Sequence, residues 1–269
     1  MVNRLTVDDL DFSYGSTPIL KGISINDAAP GRITAVIGPN AAGKTTLFKC
    51  LAGLLKPRGS IRLDDDELRE MRTGDITRRV GYLPQEGPVN AVLTVFEALL
   101  LARKHTMSWR VSDEDLAVAG QVLRDLDIEH LSLRYLNELS GGQKQMVSIA
   151  QVIARDPQVL LLDEPTSNLD LQRQLEVLDL LRSVTAARGT ITLISLHDLN
   201  LAARFADHFV VMTGGKIYAS GDAASVLTPG MLHDVYQVNA SVRVDEDGIT
   251  QVTPLSSIRA MGAMVGSPP

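Results

Sequence analysis

The chain has 269 residues, of which 45% are hydrophobic and 4% aromatic, and it carries a formal net charge of −6. That is enough for one large domain, or a core domain with appendages, and nothing in it suggests a polyanion partner, since no basic patch is visible and few aromatics are present to stack on bases. The single cysteine, Cys50, lies in the apolar stretch TLFKCLAGLL and reads as a small core residue rather than a reactive thiol. No disulfide framework can form within the chain, which fits a reducing cytoplasm.

The opening residues MVNRLTVDDLDFSYG alternate apolar and polar as a strand does and are unlike a signal peptide. No stretch approaches the ~20 apolar residues that cross a bilayer. The expectation is a soluble protein that meets a membrane only through a partner.

In chain order, the pattern predicts strands at 4–8, 19–25, 32–37, 60–63, 79–83, 159–162, 190–195, 208–212 and 216–219. Helices are predicted at 43–55, 94–103, 113–126, 142–155, 171–188, 198–206 and 222–227. Residues 86–155 carry almost no strand signal, so a helical insertion interrupts an α/β core. After Gly221 the pattern becomes short and less periodic, and this part is read as a tail. Neither an internal repeat nor a low-complexity tract is present.

Residues 38–46, GPNAAGKTT, match G-x-x-x-x-G-K-[ST] between a predicted strand (RITAVI) and a predicted helix (TTLFKCLAGLL). Glycines let a backbone fold closely around phosphates, the amides and helix dipole meet negative charge, and Lys44 adds a cation. Thr45 supplies a hydroxyl for Mg²⁺. An ordinary glycine-rich turn capping a helix is the bland alternative. Ala41 carries a β-carbon where glycine would be freer, which predicts ordinary backbone angles there.

VLLLDEP (159–165) reads as a buried parallel strand that delivers Asp163 and Glu164 to its C-terminal edge. By itself a DE pair after a strand is most often a helix cap. Beside a phosphate loop, Asp163 suits Mg²⁺ and Glu164 suits a general base. A second glycine-rich helix start, LSGGQ at 139–143, offers another anion-facing turn far from the first. Tyr14, Gln85, Asp170 and His197 stand at strand or helix ends, where each alone is unremarkable.

Together these features resemble the nucleotide-binding domain of ATP-binding cassette (ABC) transporters, in the same order along residues 4–220. The resemblance implies an α/β P-loop NTPase (RecA-like) core with an antiparallel β subdomain and an inserted helical subdomain at about 86–155. It makes 1–221 the nucleotide-binding domain and 222–269 a short C-terminal extension. Tyr14 falls at the adenine-stacking aromatic. Gly38, Pro39, Asn40, Ala41, Ala42, Gly43, Lys44, Thr45 and Thr46 fall at the phosphate loop (Walker A), and Gln85 at the Q-loop. Ser140, Gly141, Gly142 and Gln143 fall in the signature, Asp163 and Glu164 at Walker B with its catalytic glutamate, Asp170 in the D-loop and His197 at the switch histidine. The resemblance implies ATP and Mg²⁺ as ligands, the metal falling to Thr45, Gln85 and Asp163, and catalysis to Glu164, His197 and Gln85. It also implies a head-to-tail pair of copies, in which Ser140 and Gly142 face the partner's γ-phosphate.

ISLHDLNLAARFADHFVVMTGGKIYASGD, LTPGMLHDVYQV and QVTP are similar to the ATPases of importers for ferric siderophores, haem and cobalamin. The implied partners are a polytopic permease dimer, docking at 86–97, and an extracytoplasmic substrate-binding protein. The implied location is the cytoplasmic face of the inner membrane. No nucleic-acid partner is expected. Iron complexes rank ahead of cobalamin. A soluble ABC ATPase of DNA maintenance is the rival class, but its long coiled-coil arms or zinc-binding cysteine pairs have no counterpart here.

Overall fold

The computed structural model describes residues 4–85, 92–103 and 111–258. Expectations that fall on 86–91, half of the docking segment, and on 259–269 lie outside these residues.

Two long strands open the chain, β1 (Leu5–Tyr14) and β2 (Thr17–Ile25), and pair antiparallel across a turn at Gly15. β3 (Ile33–Ile37) leads through residues 38–43 into α1 (Lys44–Leu51). β4 (Arg58–Leu63) and β5 (Asp66–Glu67) follow, then α2 (Thr73–Arg79) and β6 (Val80–Leu83). The helical insertion holds α3 (Val95–Arg103), α4 (Asp113–Asp125) and α5 (Gly141–Ala154). The core resumes with β7 (Val159–Asp163), α6 (Leu171–Arg188), β8 (Ile191–Ser195), α7 (Leu199–Phe205), β9 (His208–Thr213) and β10 (Lys216–Gly221). It ends in α8 (Ala223–Val226), α9 (Pro229–Tyr236), β11 (Val238–Val244) and β12 (Thr250–Ser257).

The central sheet runs β10-β9-β3-β8-β7-β6, parallel except for the edge strand β10. Strands β3, β7 and β8 are buried along their whole length, as expected of a parallel sheet covered on both faces. Alternation sorts them: Ile33, Ala35, Ile37, Leu160, Leu162 and Ile194 face one core, while Val36, Val159, Leu161, Ile191 and Leu193 face the other. The first core is completed by α5, α6 and α7. The second takes in Leu47, Phe48 and Leu51 of α1 and the inward residues of the antiparallel sheet β2-β1-β4-β5. Each fully buried Leu or Ile contributes about 1.5–3 kcal/mol, which fixes α1 between the two sheets.

The helical insertion is pinned by caps. Ser112 and Asp115 form a reciprocal capping box at α4. Arg103 Nη1 donates to the Ala154 carbonyl at the C-terminus of α5, 2.7 Å away, where a cation complements the helix dipole. Cys50 is buried in the second core, and burial pushes its thiol pKa up to about 12. The thiolate is the nucleophile, so a disulfide-exchange reagent is expected to label Cys50 only as fast as the protein unfolds.

The structure corrects the reading of a tail after Gly221. Through residue 258 this part is folded: Val226, Leu227, Met231, Leu232, Val235 and Val252 join the first core. The helix expected at 222–227 is present as α8, whereas α9, of eight residues, is too short for periodicity to register, and the burial of this part depends on partners distant in sequence. The helix α2, of seven residues, escapes a window of two or three turns for the same reason.

Candidate functional site

Parallel pairing brings the functional loops to one sheet edge. Val36 pairs with Ser195, Asp163 with Ser195, and Leu83 with Leu162. The segments that leave β3, β6, β7 and β8 therefore emerge side by side at the carboxyl edge, where ligands of open α/β sheets bind.

The phosphate loop is shaped by its glycines. Gly38 has φ 148°, and a β-carbon there would stand 2.1 Å from the Met212 carbonyl oxygen, so no side chain fits. Gly43, with φ 103°, begins α1 without a side-chain cap, leaving the first amides of the helix to a ligand. Lys44 is buried, and its ammonium donates to the carbonyls of Gly38 (2.7 Å) and Pro39 (3.1 Å). Burial lowers the lysine pKa, partly offset by the charges of Glu164 and Asp163. A phosphate group in the loop would add a countercharge in direct contact with this ammonium. Thr45 is half-buried and Thr46 buried at the start of α1, while Asn40 and Ala41 lie on the outer side.

Ala41 differs from expectation. Its φ is +63°, a left-handed conformation, not the ordinary angles its β-carbon predicted. The loop imposes this turn regardless of the residue placed in it, and an L side chain there costs about 1–2 kcal/mol. Ala41→Gly is therefore expected to raise the unfolding free energy by about 1 kcal/mol, the relief being partly offset by the looser unfolded chain. A denaturant titration checks this, and a lowered midpoint contradicts it.

Asp163 is fully buried. Its Oδ1 accepts from Ser195 Oγ at 2.7 Å, while its Oδ2 is buried with no hydrogen-bond partner. An orphaned buried carboxylate oxygen is costly and fits a cation, or a cation's water, that arrives with the substrate. Among the described residues no cluster of three or more His, Cys, Asp or Glu could hold a metal ion.

Glu164 is buried in a left-handed backbone conformation, φ 53°. Its Oε2 accepts from Gln85 Nε2 and its Oε1 lies against His197 Nε2, each at 2.6 Å. Both carboxylate oxygens are thus occupied by side chains from β6's and β8's exits. Residues from three strand ends meet on one carboxylate, a convergence that separations of 79 and 33 positions along the chain conceal.

Ser195 escaped the sequence reading. Its hydroxyl donates to the Asp163 carboxylate at 2.7 Å and accepts from the Glu164 backbone amide at 2.9 Å, so it orients the first carboxylate and fixes the backbone of the second residue. The available signal was a polar residue ending the apolar strand ITLIS.

The signature helix start is elsewhere. Ser140 caps α5: its Oγ accepts from the Gln143 amide, and the Gln143 side chain accepts from the Ser140 amide. Gly141 is exposed at the first turn. A recess there is lined by Ser140, Gly142, Gln143, Asn168, Leu169 and Asp170, with no contribution from residues 38–46. Asp170 is the N-cap of α6, accepting from the Arg173 amide. Gln145 and Gln174 hold the intervening loop through the carbonyls of Pro165, Thr166 and Leu169. Tyr14 ends β1 with 49% of its surface exposed, its ring edge-on to Phe12 at 4.9 Å, leaving a face free to stack.

These loops have counterparts in known proteins. The family described as ABC transporter matches residues 20–167. An uncharacterized ABC transporter ATP-binding protein of Methanocaldococcus jannaschii is 41% identical over 93% of this chain and 98% of its own length. An iron(3+)-hydroxamate import ATP-binding protein of Bacillus subtilis is 35% identical over 91% of each chain. A solved structure assigned to the metal-chelate type of ABC transporter, in an inward-facing conformation, superposes with a TM-score of 0.79 at 27% identity, over 94% of this chain and 98% of that one. With a family match over more than half of its length and a near full-length relative, the chain belongs to the ABC transporter family, among its ATP-binding proteins.

Proposed function

We propose that this protein is the ATP-hydrolysing subunit of an importer, driving uptake of an iron complex through a permease dimer. The observation that carries the catalytic part is Glu164 at the sheet edge beside the phosphate loop, gripped by Gln85 and His197. Relatives named for hydroxamate, achromobactin and hemin import support the cargo class, and cobalamin import ATP-binding proteins of Halobacterium salinarum at 32% identity supply the alternative.

In this reading the residues of 38–46 wrap the triphosphate, and Lys44 leaves the Gly38 and Pro39 carbonyls for the β- and γ-phosphates. Tyr14 stacks on adenine. Thr45, Asp163 and Gln85 would hold Mg²⁺, which neutralises phosphate charge as it shifts to the leaving group. Glu164 takes a proton from water as the water oxygen bonds to the γ-phosphorus and the bond to the β-phosphate oxygen breaks. To do so it must first shed one of its two partners, so the arrangement described here is a resting one. Ser140 and Gly142 complete the site from a second copy, which explains why their recess is separate from this chain's own phosphate loop.

Among the described residues no helix is long and apolar enough to cross a membrane. We place the protein at the cytoplasmic face of the inner membrane through its permease. A groove between β6, α3 and α5, lined by Leu83, Pro84, Ala102, Gln151 and Arg155, lies beside Gln85 and supports docking there.

Native mass spectrometry of the tagged chain, gently extracted from its own membranes, tests the proposal. Two copies with two permease chains and a retained ferric ligand are expected. A corrinoid mass would shift the cargo to cobalamin, and a complex without any membrane protein would overturn the transport reading.

A further inference from the structure

His197 stands on a short connector, residues 196–198, between the end of β8 and the start of α7. A side chain on so short a link is placed by whatever holds the two ends. The first end is fixed at the sheet edge, where Ser195 donates to Asp163 at 2.7 Å. The second end is α7, whose seven residues are too few to keep their place through the helix's own hydrogen bonds. Asp198 caps it, its Oδ1 accepting from the amides of Asn200 (2.8 Å) and Leu201 (3.0 Å). Ala202 and Phe205 bury its inner face in the first core.

A second hold on α7 comes from the C-terminal hairpin. Asn200, in the first turn of α7, accepts through Oδ1 from the Val252 amide at 2.7 Å, and its Nδ2 donates to the Val252 carbonyl at 3.2 Å. The hairpin has only two strands, β11 and β12, so β12 presents a free edge, and one side-chain amide satisfies both backbone groups of a residue on it. Asparagine is a poor helix former, so helix propensity does not account for it at this position. The hairpin is seated separately from the nucleotide loops. Val252 lies in the first core, β11 packs on α9, and the Ile258 amide donates to the Gln237 carbonyl at 3.0 Å. From this body an unbroken line of hydrogen bonds and chain leads to the site. It runs from Val252 to the Asn200 side chain, from the Asn200 amide to Asp198, on to the adjacent His197, and from His197 Nε2 to Glu164 Oε1 at 2.6 Å.

We propose that Asn200 is a positioning residue for His197: by seating the first turn of α7 on the C-terminal hairpin, it keeps the imidazole on the Glu164 carboxylate. Residues 238–257 thereby contribute to the rate of hydrolysis without touching the nucleotide.

This inference rests on the reading of Glu164 as the base, and the experiment separates the two. Asn200→Leu keeps the size of the side chain and removes both contacts to Val252. Its kcat for ATP hydrolysis is expected to fall on the order of tenfold, short of the ~10²-fold that an ångström of misplacement can cost. Its KM for ATP is expected to stay within about twofold, because the clamp shares no residue with the phosphate loop. In two-dimensional NMR spectra at one pH, the His197 ring signals are expected to move towards their positions in Glu164→Ala, where the ring has lost its carboxylate. A loss of stability alone leaves the ring signals of the folded molecules in place. Asn239→Leu, which loses a contact to Ser256 within the hairpin, is the control and is expected to match wild type. A kcat within about twofold of wild type, ring signals that stay in place, or a KM that rises as far as kcat falls overturns the proposal. Should Asn200→Leu not fold, Asn200→Asp, which keeps the acceptor for the Val252 amide and loses the donor, carries the same readouts. Wild-type protein without ATP hydrolysis overturns the base reading instead, and the ring signals then decide the positioning by themselves.

Discussion

Glu164→Gln is expected to lower the rate of ATP hydrolysis about 10²–10⁴-fold, the contribution of a positioned general base, while ATP binding survives. The substitution keeps the shape of the side chain and its left-handed backbone, and it retains one oxygen to accept from Gln85 or His197. It removes the second acceptor and, with it, the ability to take a proton from water. If the phosphate bridge holds two copies together, this variant should accumulate as an ATP-filled dimer, because the event that parts the copies is blocked. Phosphate release and native mass spectrometry read the two effects separately. Retention of more than a tenth of the wild-type rate would remove Glu164 from the base role and direct attention to His197, which lies 2.6 Å from it.

A second large effect is expected at the other helix start. Gly142→Asp places a carboxylate where the first turn of α5 faces the recess. By itself that charge suits a helix N-terminus, and the added β-carbon meets the Asn168 carbonyl oxygen at 3.3 Å, a tight contact that asks for a small shift. The fold should therefore survive, with a thermal midpoint near wild type. Opposite the γ-phosphate of a partner's nucleotide, the same charge repels, and hydrolysis is expected to fall on the order of 10²-fold or more. Binding of ATP to the isolated chain should stay within about twofold, since the recess shares no residue with 38–46. Mixing this variant with Lys44→Ala rebuilds one site, which pairs an intact phosphate loop with an intact signature, so partial activity should return. If activity does not return while each variant remains folded, the head-to-tail arrangement is wrong.

Both experiments probe features of different visibility. The phosphate loop can be read from nine consecutive residues because its chemistry is local: glycines, a lysine and a hydroxyl act through the backbone turn that they themselves form. The signature is equally local, a helix cap whose hydrogen bonds run between Ser140 and Gln143. Asp163 and Glu164 announce themselves because a buried parallel strand must end in polar residues at the ligand edge. Family membership follows from the order of these local pieces.

Other features have no local cause. Ser195 matters because parallel register sets it opposite Asp163, and register is a property of the assembled sheet. Gln85 and His197 meet on Glu164 because three strands end at one edge. The left-handed turn at Ala41 is imposed by the loop around it against the residue's own preference, so a rule based on residue type predicted the opposite. The segment after Gly221 looked like a tail because none of its elements can bury an apolar face alone. Val226, Leu232 and Val252 join the first core only once the sheet has formed. Thus the sequence alone determined the family, the glycine-rich loop and the carboxylate we propose as the base, whose signals lie within a few residues of one another. The tertiary structure alone decided what grips that carboxylate, what backs the loop and what becomes of the C-terminal segment, because each depends on contacts between residues far apart in the chain.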